Sequence, residues 1–192
     1  MEKYTLYIDE VGRGSIAGPV LTAGILVSNN KKLKYKYFDS KELSLSKREL
    51  LFEKIKYEDV EVFTGIASNK EVDKYGVNYA LSISVKRMLN KIKNYPDKIV
   101  LDGNYNYIKL ATKKYINVDC IVKGDKYNNF LSCASIYAKV TRDKLMIKYS
   151  EKFPNYNFDK NKGYGTENHY LSIEKFGLSD LHRITFIKKQ SS

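Results

Sequence analysis

Asp9-Glu10, Asp102 and Asp125 are the residues in this sequence best suited to chemistry. Each acidic position closes a short apolar run and has a glycine close by, at Gly12, Gly103 and Gly124. In an open α/β sheet, ligands gather where strands end. Four carboxylates meeting there would carry a charge of about −4, which like charges in contact cannot sustain unaided. Two divalent cations about 3.5–4 Å apart would neutralise them and could drive hydrolysis. An all-oxygen ligand set favours hard ions such as Mg²⁺ or Mn²⁺ over zinc. The same residues have a plainer reading as turn formers, since Asp beside Gly is a common turn pair. On a regular strand, Asp9 and Glu10 would also point to opposite sides. A twist at the strand end, eased by Gly12 and Gly14, would be needed to bring both to one centre. Spacing alone leaves both readings open.

The elements that must position these residues follow from patterning. Tyr4 to Asp9 and Val20 to Ser28 read as strands, apolar and β-branched, separated by a Gly-rich turn. Ser46-Lys47-Arg48-Glu49 has the form of a capping box, opening a helix with Leu50, Leu51 and Ile55 on its apolar face. Val60 to Ala67 reads as a third strand. Leu81, Val85, Met88, Leu89 and Ile92 share one helical face, and Pro96 marks the end of that helix. Lys98 to Leu101 forms a strand leading into Asp102, and Tyr115 to Val122 forms another leading to Asp125. Asn128 to Tyr149 is a long helix, apolar nearly all round in its first half, which suggests burial. A short helix follows from Thr166 to Phe176, and the remainder reads as a basic tail. The expected class is α/β with a mixed central β-sheet flanked by helices. Residues 1–150 form the core, and 151–192 form a small C-terminal helical region.

The chain has 192 residues, 43% hydrophobic and 29% charged, as in ordinary globular proteins. No apolar run approaches the ~20 residues of a membrane helix, and the first residues lack the apolar core of a signal peptide. The expectation is a cytoplasmic monomer with no membrane association. Cys120 and Cys133 lie in apolar contexts without a CxxC motif, and both are expected to be buried thiols. With 34 Lys and Arg against 22 Asp and Glu, the net charge of +12 favours a polyanionic partner. The 17 Tyr and 8 Phe could stack on bases, but most belong in the core or on amphipathic surfaces.

Tyr7-Ile8-Asp9-Glu10-Val11-Gly12-Arg13-Gly14-Ser15-Ile16-Ala17-Gly18-Pro19-Val20 resembles the signature of the ribonuclease HII family. Further family-like pieces follow in order. They are Asp39-Ser40-Lys41-Glu42-Leu43, Leu101-Asp102-Gly103-Asn104, Val122-Lys123-Gly124-Asp125, Ser132 to Asp143, Lys162-Gly163-Tyr164-Gly165-Thr166 and His182-Arg183-Ile184-Thr185-Phe186. The resemblance implies a ribonuclease H-like fold, with Asp9, Glu10, Asp102 and Asp125 holding two divalent ions, Mg²⁺ or Mn²⁺. It implies cleavage of the RNA strand of RNA–DNA hybrids. It also implies cuts 5′ of single ribonucleotides embedded in duplex DNA, leaving 3′-hydroxyl and 5′-phosphate ends.

Gly12-Arg13-Gly14 falls on the family's ribose-sensing loop. Glycines there would let main-chain groups approach the 2′-hydroxyl that separates RNA from DNA. Tyr164 falls on the tyrosine that packs against the sugar beside the scissile phosphate. Lys41 and Lys162 are plausible phosphate contacts, and Ser132 with Ser135 could hold a phosphate at the start of the long helix. Arg142 and Asp143 could form an ion pair. His182 and Arg183 would buttress the tail, and His169 reads as solvated. Val11, Asn161, Cys133 and Thr185 depart from the pattern, with Asn161 standing where the family usually has His. Two other readings remain. Ribonuclease HIII normally lacks this Arg in its Gly-x-Gly and carries an N-terminal domain for which a first strand at Tyr4 leaves no room. A non-catalytic nucleic-acid-binding module would use the acidic residues only as turn formers.

Overall fold

The computed structural model describes residues 3–112 and 117–188. A five-stranded sheet runs in the order β3-β2-β1-β4-β5. Its strands are β1 (Tyr4–Val11), β2 (Val20–Ser28), β3 (Glu61–Ala67), β4 (Lys98–Asp102) and β5 (Asn117–Ile121). β1, β2 and β3 pair antiparallel, whereas β4 lies parallel to β1 and β5 parallel to β4. The mixed sheet expected from the sequence is therefore present. Tyr115, expected to begin the last strand, lies outside the described residues.

The helices are α1 (Leu45–Lys54), α2 (Asn69–Tyr75), α3 (Val77–Leu89), α4 (Ile108–Ala111), α5 (Gly124–Tyr127), α6 (Asn129–Lys152), α7 (Phe158–Asn161), α8 (Glu167–Phe176) and α9 (Ile184–Lys188). They cover both faces of the sheet. Leu6, Ile8, Ile99 and Leu101 pack with Leu81, Val85 and Met88 of α3 on one face. Ile25 packs with Cys133, Ala134, Ile136 and Val140 of α6, and with Leu51, on the other. The apolar first half of α6 is thus explained by burial against the sheet. Gly65 lets α3 lie close: a Cβ there would overlap the Ser84 carbonyl oxygen.

Several local expectations are corrected. The cap of α1 is Ser44, whose side chain accepts from the Lys47 N–H, two residues before the expected Ser46. A capping box forms instead at Ser68 and Glu71 on α2. α3 stops at Leu89, well before Pro96, and Ile92 joins the core from beyond the helix. Cys133 is buried, but Cys120 is exposed, because β5 is an edge strand. The stretch after Phe176 is not a free tail: Leu181, His182 and Arg183 are buried. It packs back through a third cluster of Ala17, Met146, Tyr156, Phe158 and Leu181. None of the described helices is long and apolar enough to cross a membrane.

Candidate metal centre

Parallel register brings the first two carboxylates together. Ile8 of β1 pairs with Leu101 of β4, so Asp9 and Asp102 come next on neighbouring strands that end side by side. Asp125 arrives from the first turn of α5, after Lys123 turns the chain through the left-handed region at φ 57°. One oxygen from each of Asp9, Asp102 and Asp125 lies within 4.8 Å of the other two. Asp102 Oδ1 accepts from the N–H groups of Gly103 at 3.0 Å and Gly124 at 2.7 Å, which ties the end of β4 to the start of α5.

Glu10 falls outside this group. Strand alternation sends Asp9 toward α6 and Glu10 toward the opposite face. There Glu10 accepts from the Tyr107 hydroxyl at 3.0 Å and from Arg13 Nη1 at 3.2 Å. It still lines the same cleft. That cleft, of about 290 Å³, is walled by Asp9, Glu10 and Asp102, by Gly12-Arg13-Gly14, by Ser40, Lys41, Ser135 and Lys139, and by Tyr164. The twist once needed to unite Asp9 and Glu10 is replaced by a cleft open to both faces at the sheet end.

The electrostatics are those of an under-compensated anionic site. Burial raises the Asp9 carboxyl well above the usual carboxylate range, and the neighbouring charges of Glu10 and Asp102 push it further. Burial also raises Glu10, against the pull of Tyr107 and Arg13. Asp125 is raised by burial and then by Asp102 and Asp39, with Lys41 opposing. The Asp125 Oδ2 atom is buried and has no hydrogen-bond partner. Its nearest cation is Lys41 Nζ at 3.6 Å, too long for a hydrogen bond, on a side chain 79% exposed. A buried carboxylate oxygen without a donor is costly, and a hard cation among these three oxygens would remove the cost. The residues present therefore fit the divalent ions implied by the sequence.

The other residues singled out by sequence divide cleanly. Lys41 and Tyr164 line the cleft. Ser132 does not: its buried hydroxyl lies 2.6 Å from the Asp125 carbonyl oxygen and 3.0 Å from that of Asn128, so it braces the turn into α6. Ser135 faces the cleft instead, bonded to Ser40 at 2.9 Å. Lys162 turns its ammonium onto the Asp159 carbonyl. Arg142 does not pair with Asp143, which bonds Lys139 at 2.7 Å. Fully buried, Arg142 donates to the carbonyls of Pro19, Lys162 and Ala17. Arg183 holds those of Gly18 and Arg13. His169 is wholly buried rather than solvated. Asn161, in the place of the family His, accepts from the Gly163 N–H at 2.8 Å and donates to the Tyr156 carbonyl at 2.7 Å, shaping the turn before Tyr164.

Sequence reasoning passed over Ser40, Lys139 and Tyr107. The first two sit inside the quoted motifs, where a reading beyond the charged residues could have found them. Tyr107 carries no local signal.

Comparison with known proteins agrees with the geometry. The sequence pattern of the family described as Ribonuclease HII matches residues 6–189. A Ribonuclease HII from Sulfurihydrogenibium sp. (strain YO3AOP1) is 41% identical over 179 residues, covering 93% of this chain and 87% of that one. A Ribonuclease HII from Pelagibacter ubique (strain HTCC1062) is 41% identical over 181 residues, covering 93% of each. Among solved structures, the ribonuclease H2 from Pyrococcus horikoshii OT3 superposes with a TM-score of 0.76 at 25% identity, covering 97% of this chain and 96% of that one. The fold is thus ribonuclease H-like, and with the family pattern spanning residues 6–189 the chain belongs to the ribonuclease HII family.

Proposed function

We propose that this protein is a metal-dependent endoribonuclease acting on RNA–DNA hybrids and on DNA duplexes containing ribonucleotides. It hydrolyses the RNA strand of hybrids and cuts 5′ of single embedded ribonucleotides, leaving 3′-hydroxyl and 5′-phosphate ends. The observation that carries the reading is the clustered trio Asp9, Asp102 and Asp125, the first and last of them buried, with Asp125 Oδ2 lacking any hydrogen-bond donor. These three, with Glu10 beside them, would hold two Mg²⁺ or Mn²⁺ ions. When bound there, such a pair supplies activation of the attacking water and charge neutralisation at the leaving 3′ oxygen.

The chain's own groups bind and orient the duplex. Gly12-Arg13-Gly14 offers main-chain donors and acceptors to the ribose 2′-hydroxyl, which is both donor and acceptor. Space supports this at Gly14, where a Cβ would meet nothing within 4 Å. The Tyr164 ring packs on the sugar beside the scissile phosphate. Lys41 offers its exposed ammonium to the backbone. Residues 1–150 are the catalytic core, and 151–192 complete the substrate groove through Tyr164. On this reading the enzyme works as a cytoplasmic monomer.

The deciding experiment is digestion of a DNA duplex containing one ribonucleotide, with and without divalent ion, mapped to nucleotide resolution. A single ion-dependent cut 5′ of the ribonucleotide is expected. Binding without cleavage under all ion conditions would make the protein a non-catalytic module. Cleavage of long hybrids with the single-ribonucleotide duplex left intact would favour ribonuclease HIII-like activity.

A further inference from the structure

Away from the carboxylates, two histidines are buried against each other. His169 on α8 and His182 before α9 are 0% and 2% exposed, with their Nε2 atoms 3.1 Å apart. Their outer partners fix the protons. The Ser179 N–H lies 2.9 Å from His182 Nδ1, and a main-chain N–H can only donate. His182 Nδ1 is therefore bare, and the neutral ring carries its proton on Nε2. At the other end, His169 Nδ1 lies 2.8 Å from the Tyr164 carbonyl oxygen, which can only accept. His169 therefore carries its proton on Nδ1, and its Nε2 is bare. The two assignments mesh, with His182 Nε2–H donating to His169 Nε2. Burial lowers the pKa of both rings, that of His182 to about 4, consistent with a neutral pair. Phe158 packs against both rings, and Tyr156 against His182.

The chain of bonds ends on Tyr164, whose ring lines the cleft. The two preceding carbonyls are also held. Lys162 accepts from Arg142 at 2.8 Å, and Gly163 accepts from the N–H groups of Ile16 at 2.9 Å and Ala17 at 3.1 Å. The Tyr164 carbonyl takes a local bond from the Thr166 N–H at 2.9 Å. His169 adds the one that links it to the C-terminal segment.

We propose that His169 and His182 are positioning residues for substrate selection, their hydrogen-bond chain fixing the Tyr164 main chain and so the seat of its ring against the substrate sugar. The proposal rests on the reading of Tyr164 as the sugar contact. Neither histidine touches substrate.

The test uses His169→Asn, His169→Gln, Tyr164→Ala and the double variant Tyr164→Ala/His169→Gln. Each is assayed for kcat and KM on a single-ribonucleotide duplex and on a long hybrid. An Asn amide N–H falls near Nδ1 and keeps the donor to Tyr164. A Gln amide reaches toward Nε2, fills more of the space, and withdraws that donor. His169→Gln is expected to lower kcat on the single-ribonucleotide duplex about tenfold more than on the hybrid, the scale of a small misplacement. His169→Asn should recover the wild-type ratio. In the Tyr164→Ala background His169→Gln should add nothing, since the two act through one contact.

A role in packing alone predicts the reverse order of Asn and Gln, equal losses on both substrates, and additivity; any of these overturns the proposal. If Tyr164→Ala shifts the substrate ratio and His169→Gln does not, only the histidine role falls. If Tyr164→Ala leaves the ratio unchanged, the sugar-contact reading fails and takes the proposal with it. Nitrogen-15 spectra of the wild-type protein give a readout free of variant folding. They should find His169 protonated at Nδ1 and His182 at Nε2, and the opposite tautomers would overturn the chain.

Discussion

Two regions of this protein bury charge, and they treat it in opposite ways. At the sheet end, Asp9, Asp102 and Asp125 crowd together with one oxygen bare. Behind the cleft, Arg142 and Arg183 are fully buried, yet between them they donate to five main-chain carbonyls. Carbonyl dipoles stabilise the guanidinium ions, since among the described residues no carboxylate forms an ion pair with either; Asp143 and Asp73 act on them only from a distance. Arg183 is the less complete case: its Nη2 has no partner, and burial beside Arg142 lowers its pKa to about 9. The contrast separates two uses of buried charge. Where the charge is met by the chain, it builds a scaffold; where it is left unmet, it awaits a ligand. Here the scaffold is specific. The five carbonyls belong to the Arg13–Pro19 segment and to Lys162, the loops that carry Gly14 and Tyr164.

The contrast is broken most directly at the carboxylates. Asp9→Asn, Asp102→Asn, Asp125→Asn and Glu10→Gln should each cut turnover by about a thousandfold or more, roughly 4 kcal/mol of transition-state stabilisation. The melting temperature should hold or rise, because a destabilising charge is lost. Steady-state kinetics beside thermal melts check both, and wild-type turnover in Asp102→Asn would remove the metal assignment. Replacing Arg142 with Met should do the opposite. Three buried carbonyls lose their donor, at a cost of about 3 kcal/mol, or roughly 6–12 °C in melting temperature. An unchanged melt would mean that the carbonyls do not need the guanidinium.

The glycines sharpen the boundary between the regions. Gly12 has φ +88°, and a Cβ there would overlap Arg142 Nε and lie 2.8 Å from the Pro19 carbonyl oxygen. Gly12→Ala should therefore destabilise by about 2 kcal/mol through strain and crowding. Gly14 faces open space, so Gly14→Ala should melt like wild type while weakening cleavage of ribonucleotide substrates. Equal melting losses in both variants would refute the division between a buttressed edge and a substrate-facing edge of the loop.

The last prediction concerns pH. The His182 pKa falls from the ordinary 6.5 to about 4 in the folded protein, by burial and by the neighbouring His169. Below pH 6.5 the unfolded chain takes up a proton that the native ring refuses. The stability is thus present above 6.5, drains as pH falls toward 4, and levels off below. Melting temperatures of wild type and His182→Gln compared between pH 4 and 7.5 should converge toward the acid end. A constant gap would contradict the neutral buried ring.

Much of this was legible in the sequence because it depends on near neighbours along the chain. A run of apolar and β-branched residues marked β2, shared helical faces and apolar runs marked α3 and α6, and apolar runs placed Asp9 and Asp102 at strand ends, whereas Asp125, also expected at one, lies in the first turn of α5. A helix or strand declares its own period, and motif order carries the family. Partner choice across the fold leaves no such trace. Ser44 rather than Ser46 caps α1 because the cap is set by where the chain enters the helix. Arg142 passes over adjacent Asp143 for the Pro19 carbonyl, 123 residues away. Glu10 parts from Asp9 because a strand alternates and Tyr107 waits on the far face. His169 looked like a surface residue until α8 folded it onto His182. Sequence determined which side chains were present and which local element each rode on. Only tertiary packing decided which of them are desolvated together, and desolvation turns a carboxylate into a metal ligand or an arginine into a brace.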